Sequence, residues 1–404
     1  MKEITELCPL RNKRKTKLLQ FGEGNFLRGF VDEMIDIANE TGFMDTEVIM
    51  VKPREGKPSE AFIRQNCLYT VMLSDINGSK NRLITCISDI FSCYEDYDWF
   101  MAFADDEDLR FIVSNTTEAG IVYNDSDRLS DRPPKSFPAK LTQFLYRRYK
   151  TFSGDSKKGV IILPVELIED NGRVLKDCVM RISKDWKLET GFSNWLDEAC
   201  IFCSTLVDRI ISGYPSGKAE ELWAELGYRD ELIVTGEAFG SWIIESDRDI
   251  SNEFRLKEAG LPVVFTDDYR PYRVRKVRIL NGAHTSFALI AYLMGYDTVL
   301  EAVRDRAVED YINALFEDEV IPTIDMDRQE LEGFAGAVLE RFKNPHIHHR
   351  LYDIALNSVS KWKTRCLPTM LDLIDMGKET DLLVFSLASL LAFYKGKYDE
   401  KGRF

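Results

Sequence analysis

Two glycines, at positions 22 and 24, stand between a short apolar segment and a longer segment with helical periodicity. Residues 17–21 are expected to form a strand, residues 30–39 a helix and residues 47–51 a second strand. In this order of elements, a glycine turn lets the backbone approach a pyrophosphate at the positively polarised start of the helix. The motif is incomplete, because Leu27 replaces the third glycine of the usual pattern. The segment predicts a βαβ unit that binds a dinucleotide.

The residues after the second expected strand bear on the choice of dinucleotide. In such folds an acidic side chain at this point binds the adenine ribose of NAD, whereas basic side chains accept the 2′-phosphate of NADP. This chain has both kinds, with Lys52 and Arg54 favouring NADP and Glu55 favouring NAD. The sequence alone leaves NADP open beside NAD.

A lysine, an asparagine and a histidine lie on one expected helix, residues 276–292. A lysine can act as a general base where burial or nearby positive charge lowers its pKa, an asparagine amide can stabilise an oxyanion, and a histidine can hold or relay a proton. In an α-helix, Asn281 would lie roughly 140° and His284 roughly 80° from Lys276 around the axis. Three arginines are expected to supply the positive charge: Arg273, Arg275 and Arg278. The three side chains are therefore predicted to transfer protons between an alcohol and a ketone.

The overall charge argues against two classes of partner. Lysine and arginine number 53 against 67 aspartates and glutamates, which leaves a formal net charge of −14 at pH 7. Such a chain repels nucleic acids and anionic membranes, so an anionic substrate needs a local basic pocket. The start of the chain lacks the apolar core of a signal peptide, and the most apolar run, residues 382–394, is too short to span a bilayer. We expect a cytoplasmic protein with a small-molecule substrate, and its oligomeric state stays open.

Two clusters of potential metal ligands do not match known metal sites. Cys200 and Cys203 have C-x-x-C spacing, but no second pair completes a zinc site, and the segment has a helical pattern. His346, His348 and His349 lack the i, i+4 spacing of helical ligands. The eight cysteines are expected to be reduced thiols, and no metal is predicted.

Strand patterns dominate the first part of the chain and helical patterns the second, with a boundary near Asp267, Asp268 and Pro271. The sequence predicts an α/β fold, with a Rossmann-type dinucleotide-binding domain over residues 1–268 and a mostly α-helical substrate and catalytic domain over residues 269–404. Lys276 would lie at their junction, and a cleft between domains is a usual place for a ligand. Further strands are expected at 67–73, 82–88, 110–114 and 159–163, and further helices at 140–149, 298–316, 328–341, 351–363 and 382–394.

Five segments spread along nearly the whole chain resemble the mannitol dehydrogenase family of long-chain polyol and sugar-acid dehydrogenases. They are residues 20–28 (QFGEGNFLR), 114–121 (SNTTEAGI), 203–209 (CSTLVDR), 279–284 (ILNGAH) and 341–345 (RFKNP). The resemblance implies an N-terminal Rossmann domain that binds NAD and a helical C-terminal domain that supplies a lysine base, without zinc. It also implies that this chain ends early for the family, just after residues 382–394, so that part of the helical domain is unaccounted for.

The resemblance also implies roles for individual residues. Lys276 would be the general base, Asn281 an oxyanion donor and His284 a group that orients the substrate. Asp208 would lie near the lysine, and Lys361 would be a basic substrate contact. Cofactor contacts would come from Phe21, Gly22, Gly24, Asn25, Phe26 and Leu27, with Thr117 and Glu118 beside the nicotinamide.

One departure from the family concerns the oxyanion site. Mannitol dehydrogenases have a second asparagine there, in a Cys-Asp-Asn segment, whereas this chain reads Val165-Glu166-Leu167. Asn171 is close by in sequence and is the candidate substitute for the missing donor at Leu167.

The reaction implied is reduction of a keto-hexuronate, tagaturonate, with fructuronate reduction and mannitol oxidation as alternatives. A sugar acid needs cations for its carboxylate, and the candidates beside Lys361 are Arg350, Lys363, Arg365 and the three clustered histidines. A metal-dependent epimerase or lyase that uses the histidines is a further alternative. A protein that only senses a dinucleotide is another, although it would not need the lysine, asparagine and histidine together.

Overall fold

The computed structural model describes residues 1–8, 13–116 and 120–396. The chain divides into two compact units. Unit 1 contains Met1–Leu73 and Ser79–Tyr269, and unit 2 contains Ser74–Gly78 and Arg270–Phe404. No helix among the described residues is both long and apolar enough to cross a membrane.

The described residues form fifteen strands in four sheets. The strands are β1 (Lys2–Glu3), β2 (Thr16–Phe21), β3 (Glu47–Lys52), β4 (Tyr69–Asp75), β5 (Gly78–Ile84), β6 (Ile87–Ser92), β7 (Phe111–Ser114), β8 (Ile161–Pro164), β9 (Ile201–Phe202), β10 (Ser204–Asp208), β11 (Ile211–Gly213), β12 (Tyr228–Arg229), β13 (Val234–Glu237), β14 (Ser241–Glu245) and β15 (Val263–Thr266).

The largest sheet has six strands in the order β6-β3-β2-β7-β8-β9, and all neighbours in it are parallel. Numbered along the chain, these strands stand in the order 3-2-1-4-5-6, which is the order of a Rossmann fold. The order reverses between β2 and β7, and ligands of such sheets bind beyond the carboxyl ends of the strands at that point. The glycine turn follows β2 directly, so the fold places it where a dinucleotide binds.

The residues of the central strands alternate between two hydrophobic clusters, one on each face of the sheet. Leu18 belongs to one cluster and Leu19 to the other, and Val113 and Ile112 repeat this alternation in β7. Because successive side chains of a strand point to opposite faces, a strand covered on both sides reads as a continuous apolar run. This explains why the core strands were recognisable in the sequence.

Seven α-helices in the described part of unit 1 accompany its sheets. They are α1 (Asn25–Glu40), α2 (Glu60–Arg64), α3 (Tyr97–Ala102), α4 (Phe137–Thr151), α5 (Asn171–Asp185), α6 (Thr190–Glu198) and α7 (Ala219–Leu226). The expected βαβ unit of β2, α1 and β3 is present. The expected hairpin is present as well, since β4 and β5 are neighbours in a four-stranded sheet. The strand expected over residues 82–88 was wrong in its bounds, because residues 82–84 end β5 and residues 87–88 begin β6 of the parallel sheet.

Apart from the hairpin residues Ser74–Gly78, the described part of unit 2 is mostly helical, and it has a hydrophobic core of its own. Its helices are α8 (Arg270–Arg275), α9 (Gly282–Met294), α10 (Val299–Val303), α11 (Arg306–Ala314), α12 (Arg328–Phe342), α13 (Leu351–Ala355), α14 (Ser358–Arg365), α15 (Leu367–Asp375) and α16 (Asp381–Tyr394). A π-helical turn, Lys276–Asn281, joins α8 to α9, and a second one, Leu315–Val320, follows α11. The expected fold class, a Rossmann-type domain followed by a mostly helical domain, is confirmed.

Three other local expectations were wrong. The segment with Cys200 and Cys203 is not helical, because it forms β9 at the edge of the parallel sheet. The single helix expected over residues 298–316 is broken before α11, where the Asp305 side chain accepts a hydrogen bond from the backbone N–H of Ala307 and starts a new helix. The helix expected over residues 351–363 is broken at Asn357, whose φ of +58° no α-helix accommodates.

Candidate functional site

The glycine turn has the backbone geometry that a pyrophosphate site needs. Gly22 has a φ of +126°, and a Cβ there would lie 3.0 Å from the carbonyl oxygen of Asn115, so only glycine fits without strain. Its N–H donates to the carbonyl of Val51 over 2.9 Å. Gly24 is the N-cap of α1, and a Cβ there would meet no atom within 4 Å. The start of α1 is therefore open, and its free N–H groups can receive an anion.

The missing third glycine has a structural replacement. Leu27 is buried in the core, and Gly29 lies two residues further along α1. A Cβ on Gly29 would lie 2.8 Å from Cδ1 of Ile211 and 2.9 Å from Cγ1 of Val234. Close packing of helix against strand is the task of the third glycine in this motif. Gly29 performs it here, against a neighbouring sheet, and a glycine inside the helical segment was the signal in the sequence.

The other predicted cofactor residues differ in what they present to a ligand. The rings of Phe21 and Phe137 lie 5.0 Å apart in the core, so Phe21, like the buried Leu27, can meet a ligand through its backbone alone. Asn25 accepts a 2.5 Å hydrogen bond from Arg28. Phe26 is partly buried and stacks on Phe30. Thr117 and Glu118 lie outside the described residues.

A buried glutamate organises the backbone after β7. The carboxylate of Glu166 accepts hydrogen bonds from the N–H of Thr116 (2.9 Å), the hydroxyl of Thr116 (2.9 Å) and the hydroxyl of Ser114 (3.1 Å). Burial raises its pKa above the usual range. Glu166 therefore ties β7 to the segment after β8, a role that sequence reasoning missed.

Lys276 and Asn281 are the first and last residues of the π-helical turn between α8 and α9. The N–H of Gly282 donates to the carbonyl of Val277, five residues back. A turn that closes over five residues brings side chains five apart to the same side of the helix. The separation of 140° expected for an α-helix was therefore wrong, and the lysine and the asparagine lie closer together than the sequence suggested.

Two of the arginines expected to bring positive charge to Lys276 are paired with acids instead. Arg275 forms an ion pair with Glu330, and Arg278 forms one of 2.6 Å with Asp372. Their charges are offset within unit 2. This part of the expectation was wrong, because the acidic partners lie about 50 and 90 residues away in sequence.

Four basic groups of unit 2 lie near His284. Its ring centroid lies 4.4 Å from that of Phe342 and 4.9 Å from that of His349. Burial lowers the pKa of His284 well below its usual value, and four neighbouring basic groups lower it further: His349, Arg341, Arg365 and Lys361. His284 is therefore a neutral imidazole near pH 7. Its Nε2 is buried and has no hydrogen-bond partner in the described part of the chain.

Lys361 and Arg365 lie one turn apart on α14. The ammonium of Lys361 donates to the carbonyl of Ile354 over 2.9 Å, and the guanidinium of Arg365 donates to the hydroxyl of Thr285 over 3.3 Å. Burial lowers the pKa of both groups. Neither forms an ion pair with a carboxylate of the described residues. Partly buried cations without an anion favour an anionic ligand.

The remaining predicted basic residues of this region do not join the cluster. Arg350, Lys363, His346 and His348 are exposed. His349 faces His284, and its pKa is lowered by burial. Arg341, which the sequence marked only as part of a resembling segment, is the cation that sequence reasoning missed.

The two predicted substrate residues of unit 1 are both buried. The Asn171 amide donates to the carbonyls of Pro164, Glu166 and Thr205, and its oxygen accepts from the N–H of Thr205. All its hydrogen-bonding groups are used, so the structure gives Asn171 a role in joining strands and no free donor for an oxyanion. Asp208 is the last residue of β10, opposite Ser241 of β14.

The structure offers no metal site within the described ranges. No group of three or more histidines, cysteines, aspartates or glutamates there could hold an ion. All eight cysteines lie among the described residues and none forms a disulfide. Burial raises the pKa of Cys200 and Cys203 to about 12 each. These two thiols are inert core residues.

Known proteins resemble this chain over almost its whole length. The model of the mannitol dehydrogenase Rossmann domain matches residues 16–258, and the model of the mannitol dehydrogenase C-terminal domain matches residues 268–404. An altronate oxidoreductase of Bacillus subtilis is 46% identical over 383 residues, which are 94% of this chain and 79% of the relative. One of Yersinia enterocolitica is 42% identical over 389 residues, which are 95% of this chain and 80% of the relative.

Two solved structures share the fold. A substrate-free D-sorbitol dehydrogenase has a TM-score of 0.84 at 23% identity, with 100% of this chain and 87% of that one covered. The Pseudomonas fluorescens mannitol 2-dehydrogenase, in a ternary complex with NAD and D-mannitol, has a TM-score of 0.71 at 22% identity over 96% and 81% of the two chains. The resemblance expected from the sequence is confirmed, and the chain belongs to the mannitol dehydrogenase family of oxidoreductases.

Proposed function

We propose that this chain interconverts D-tagaturonate and D-altronate with NAD(H). The observation that carries the proposal is the set of basic groups around His284, in which Lys361 and Arg365 have no carboxylate partner among the described residues. A polyol has no charge for such a set to bind, whereas a hexuronate has one carboxylate. The naming of the relatives at 42% and 46% identity as altronate oxidoreductases supports the same substrate class.

The cofactor assignment is supported by the glycine turn. Gly22 and the open start of α1 fit a pyrophosphate, and the turn follows the first strand of a Rossmann sheet. Reduced NAD supplies the hydride when it is bound. Residues 1–268 would hold this cofactor, and residues 269–404 would hold the sugar acid.

The proton chemistry is assigned to the π-helical turn. Lys276 in its ammonium form gives a proton to the oxygen of the keto group as that oxygen gains negative charge. The amide of Asn281 donates a hydrogen bond to the same oxygen. In the reverse direction, neutral Lys276 removes the proton of the hydroxyl group. His284 stays neutral and is assigned the orientation of the substrate, with Lys361 as a further substrate contact.

Two related reactions remain alternatives, the reduction of fructuronate and the oxidation of mannitol. Fructuronate carries the same carboxylate, so the basic groups favour it equally. Mannitol lacks the carboxylate and is the weaker candidate. A cytoplasmic location is part of the proposal, since no disulfide is present among the described residues and the cytosol keeps thiols reduced.

The test is oxidation of NADH by the purified protein with tagaturonate, fructuronate and fructose in parallel. We expect turnover with tagaturonate to exceed turnover with the other two. Faster turnover of fructuronate would move the assignment to its epimer, and preference for fructose would contradict a sugar-acid substrate. Treatment with a chelator should change nothing, and a loss of activity would favour a metal-dependent enzyme.

A further inference from the structure

An ion pair stands at the edge of the expected cofactor site. Glu23 lies between the two glycines of the turn after β2, and Lys52 is the last residue of the neighbouring strand β3. The two strands are in parallel register, with Phe21 opposite Val51. Nζ of Lys52 donates to Oε1 of Glu23 over 2.7 Å.

The position of the pair matters because of what binds there in Rossmann folds. The side chain at the end of the second strand meets the 2′-position of the adenine ribose, where NAD has a hydroxyl and NADP a phosphate. In this chain that side chain is a lysine, which alone would favour the phosphate. However, the ion pair with Glu23 offsets the positive charge of Lys52.

The backbone of Lys52 is anchored to the next strand of the sheet. The backbone carbonyl of Lys52 accepts hydrogen bonds from the N–H and the thiol of Cys93, each over 3.2 Å. Side-chain exposure is 20% for Lys52 and 26% for Glu23, so solvent screens their charges less than those of a surface pair. Oε2 of Glu23 has no hydrogen-bond partner in the described part of the chain, which leaves one carboxylate oxygen able to accept a hydroxyl.

We propose that Glu23, held in place by Lys52, is the residue that makes this protein select NAD over NADP. Oε2 of Glu23 accepts a hydrogen bond from the ribose 2′-hydroxyl, and its charge repels a 2′-phosphate. This assignment rests on the proposed use of NAD and deepens it. The acidic residue comes from the glycine turn, not from the end of the second strand, where Glu55 is exposed.

The experiment measures binding, so it does not depend on turnover. Dissociation constants of NADH and NADPH are determined by calorimetry for the wild type, Glu23→Gln, Lys52→Met and the double variant. Glu55→Gln is the matched control, since it removes one exposed acid next to the same strand. Thermal unfolding of each variant verifies that it is folded.

We expect the wild type to bind NADH more tightly than NADPH. Glu23→Gln should tighten NADPH binding by about tenfold and weaken NADH binding, because a repelling charge is lost and Lys52 is released. The double variant should lose the gain for NADPH. Glu55→Gln should match the wild type.

Three results would overturn the assignment. They are unchanged NADPH binding in Glu23→Gln, an equal gain in Glu55→Gln, or a gain in the double variant as large as the gain in Glu23→Gln. A wild type that binds neither dinucleotide would overturn this assignment and the proposed function together. A wild type that binds NADH but reduces no sugar acid would contradict only the proposed substrate.

Discussion

Lys276 and Asn281 lie on one side of the same helix because the turn that joins them closes over five residues. A regular α-helix would point them well apart. In the proposed mechanism, the extra residue of the turn lets the ammonium of Lys276 and the amide of Asn281 reach the same substrate oxygen. π-helical turns are rare and are found frequently at functional sites.

Replacing Lys276 with alanine should abolish most of the catalysis. General acid–base catalysis contributes about 10²–10⁴ in rate, so kcat should fall by at least that order while NADH binding stays unchanged. Steady-state kinetics and calorimetry measure the two effects. Lys363→Ala is the control, because Lys363 is exposed on α14. Near-normal turnover of Lys276→Ala would remove the lysine from the mechanism.

Replacing Asn281 with aspartate keeps the size of the side chain and replaces a donor by an acceptor. Loss of one oxyanion donor costs about 10²–10³ in kcat, and a carboxylate beside a developing alkoxide adds repulsion. We expect Asn281→Asp to be slower than Asn281→Ala. The opposite order would show that the amide does not face the oxygen.

The neutral state of His284 has a consequence for stability. In the folded protein the pKa of His284 lies well below the usual value of 6.5. Below pH 6.5 the imidazole is therefore protonated in the unfolded chain while it stays neutral in the folded protein. The free energy of unfolding is therefore unaffected by His284 above pH 6.5, and it falls as the pH drops below that value. Urea unfolding at pH 7.5 and 5.5 measures how much the free energy of unfolding decreases at the lower pH. This decrease should be smaller for His284→Gln than for the wild type. An equal loss would mean that His284 is protonated in the folded protein.

Asp32 should have the opposite effect. Burial raises its pKa to about 7, against hydrogen bonds from Tyr69 and Gln20 that lower it. The raised pKa of Asp32 stabilises the folded protein fully below pH 3.8, the usual pKa of the group. This stabilisation is lost as the pH rises towards 7. A shift of this size corresponds to about 4 kcal/mol at most. Asp32→Asn should therefore gain stability over the wild type between pH 5 and 8, and a constant difference in urea unfolding would contradict the raised pKa.

Arg365 should discriminate between sugar acids and polyols. A charge-assisted hydrogen bond contributes about 1.5–3 kcal/mol, so Arg365→Met should raise KM for tagaturonate by about tenfold or more. Any activity with fructose should change far less, because fructose has no carboxylate. Equal effects on both substrates would assign Arg365 a structural role.

The sequence predicted features that depend on local patterns. The apolar runs of β2, β3 and β7, the glycine turn and the helical character of unit 2 are all local. Features that depend on distant partners were missed: Arg275 meets Glu330, Arg278 meets Asp372, and Gly29 packs on Ile211. Local sequence propensity could not identify β9 as a strand. It has only two residues, Ile201 and Phe202, and they form a strand because they pair with β8.

The candidate site also combines residues that local patterns indicate with residues that only the folded structure brings near them. The sequence proposes Lys276, Asn281 and His284 as catalytic residues, which stays a prediction, but helical periodicity assumed the wrong kind of turn between the first two. Arg341 joins the basic groups through a helix that lies some 60 residues beyond His284 in sequence. No spacing rule connects residues that only packing brings together.

Five residues from the tip of the hairpin of β4 and β5, Ser74–Gly78, belong to the helical unit, where the buried amide of Asn344 donates to the carbonyl of Ser74 over 2.9 Å. A chimaera made by exchanging everything after Tyr269 for the matching part of a relative would leave this loop behind. The exchange should therefore include the segment of the relative that matches residues 74–78 as well. Otherwise the side-chain amide at the position of Asn344 would face a hairpin tip from a different protein.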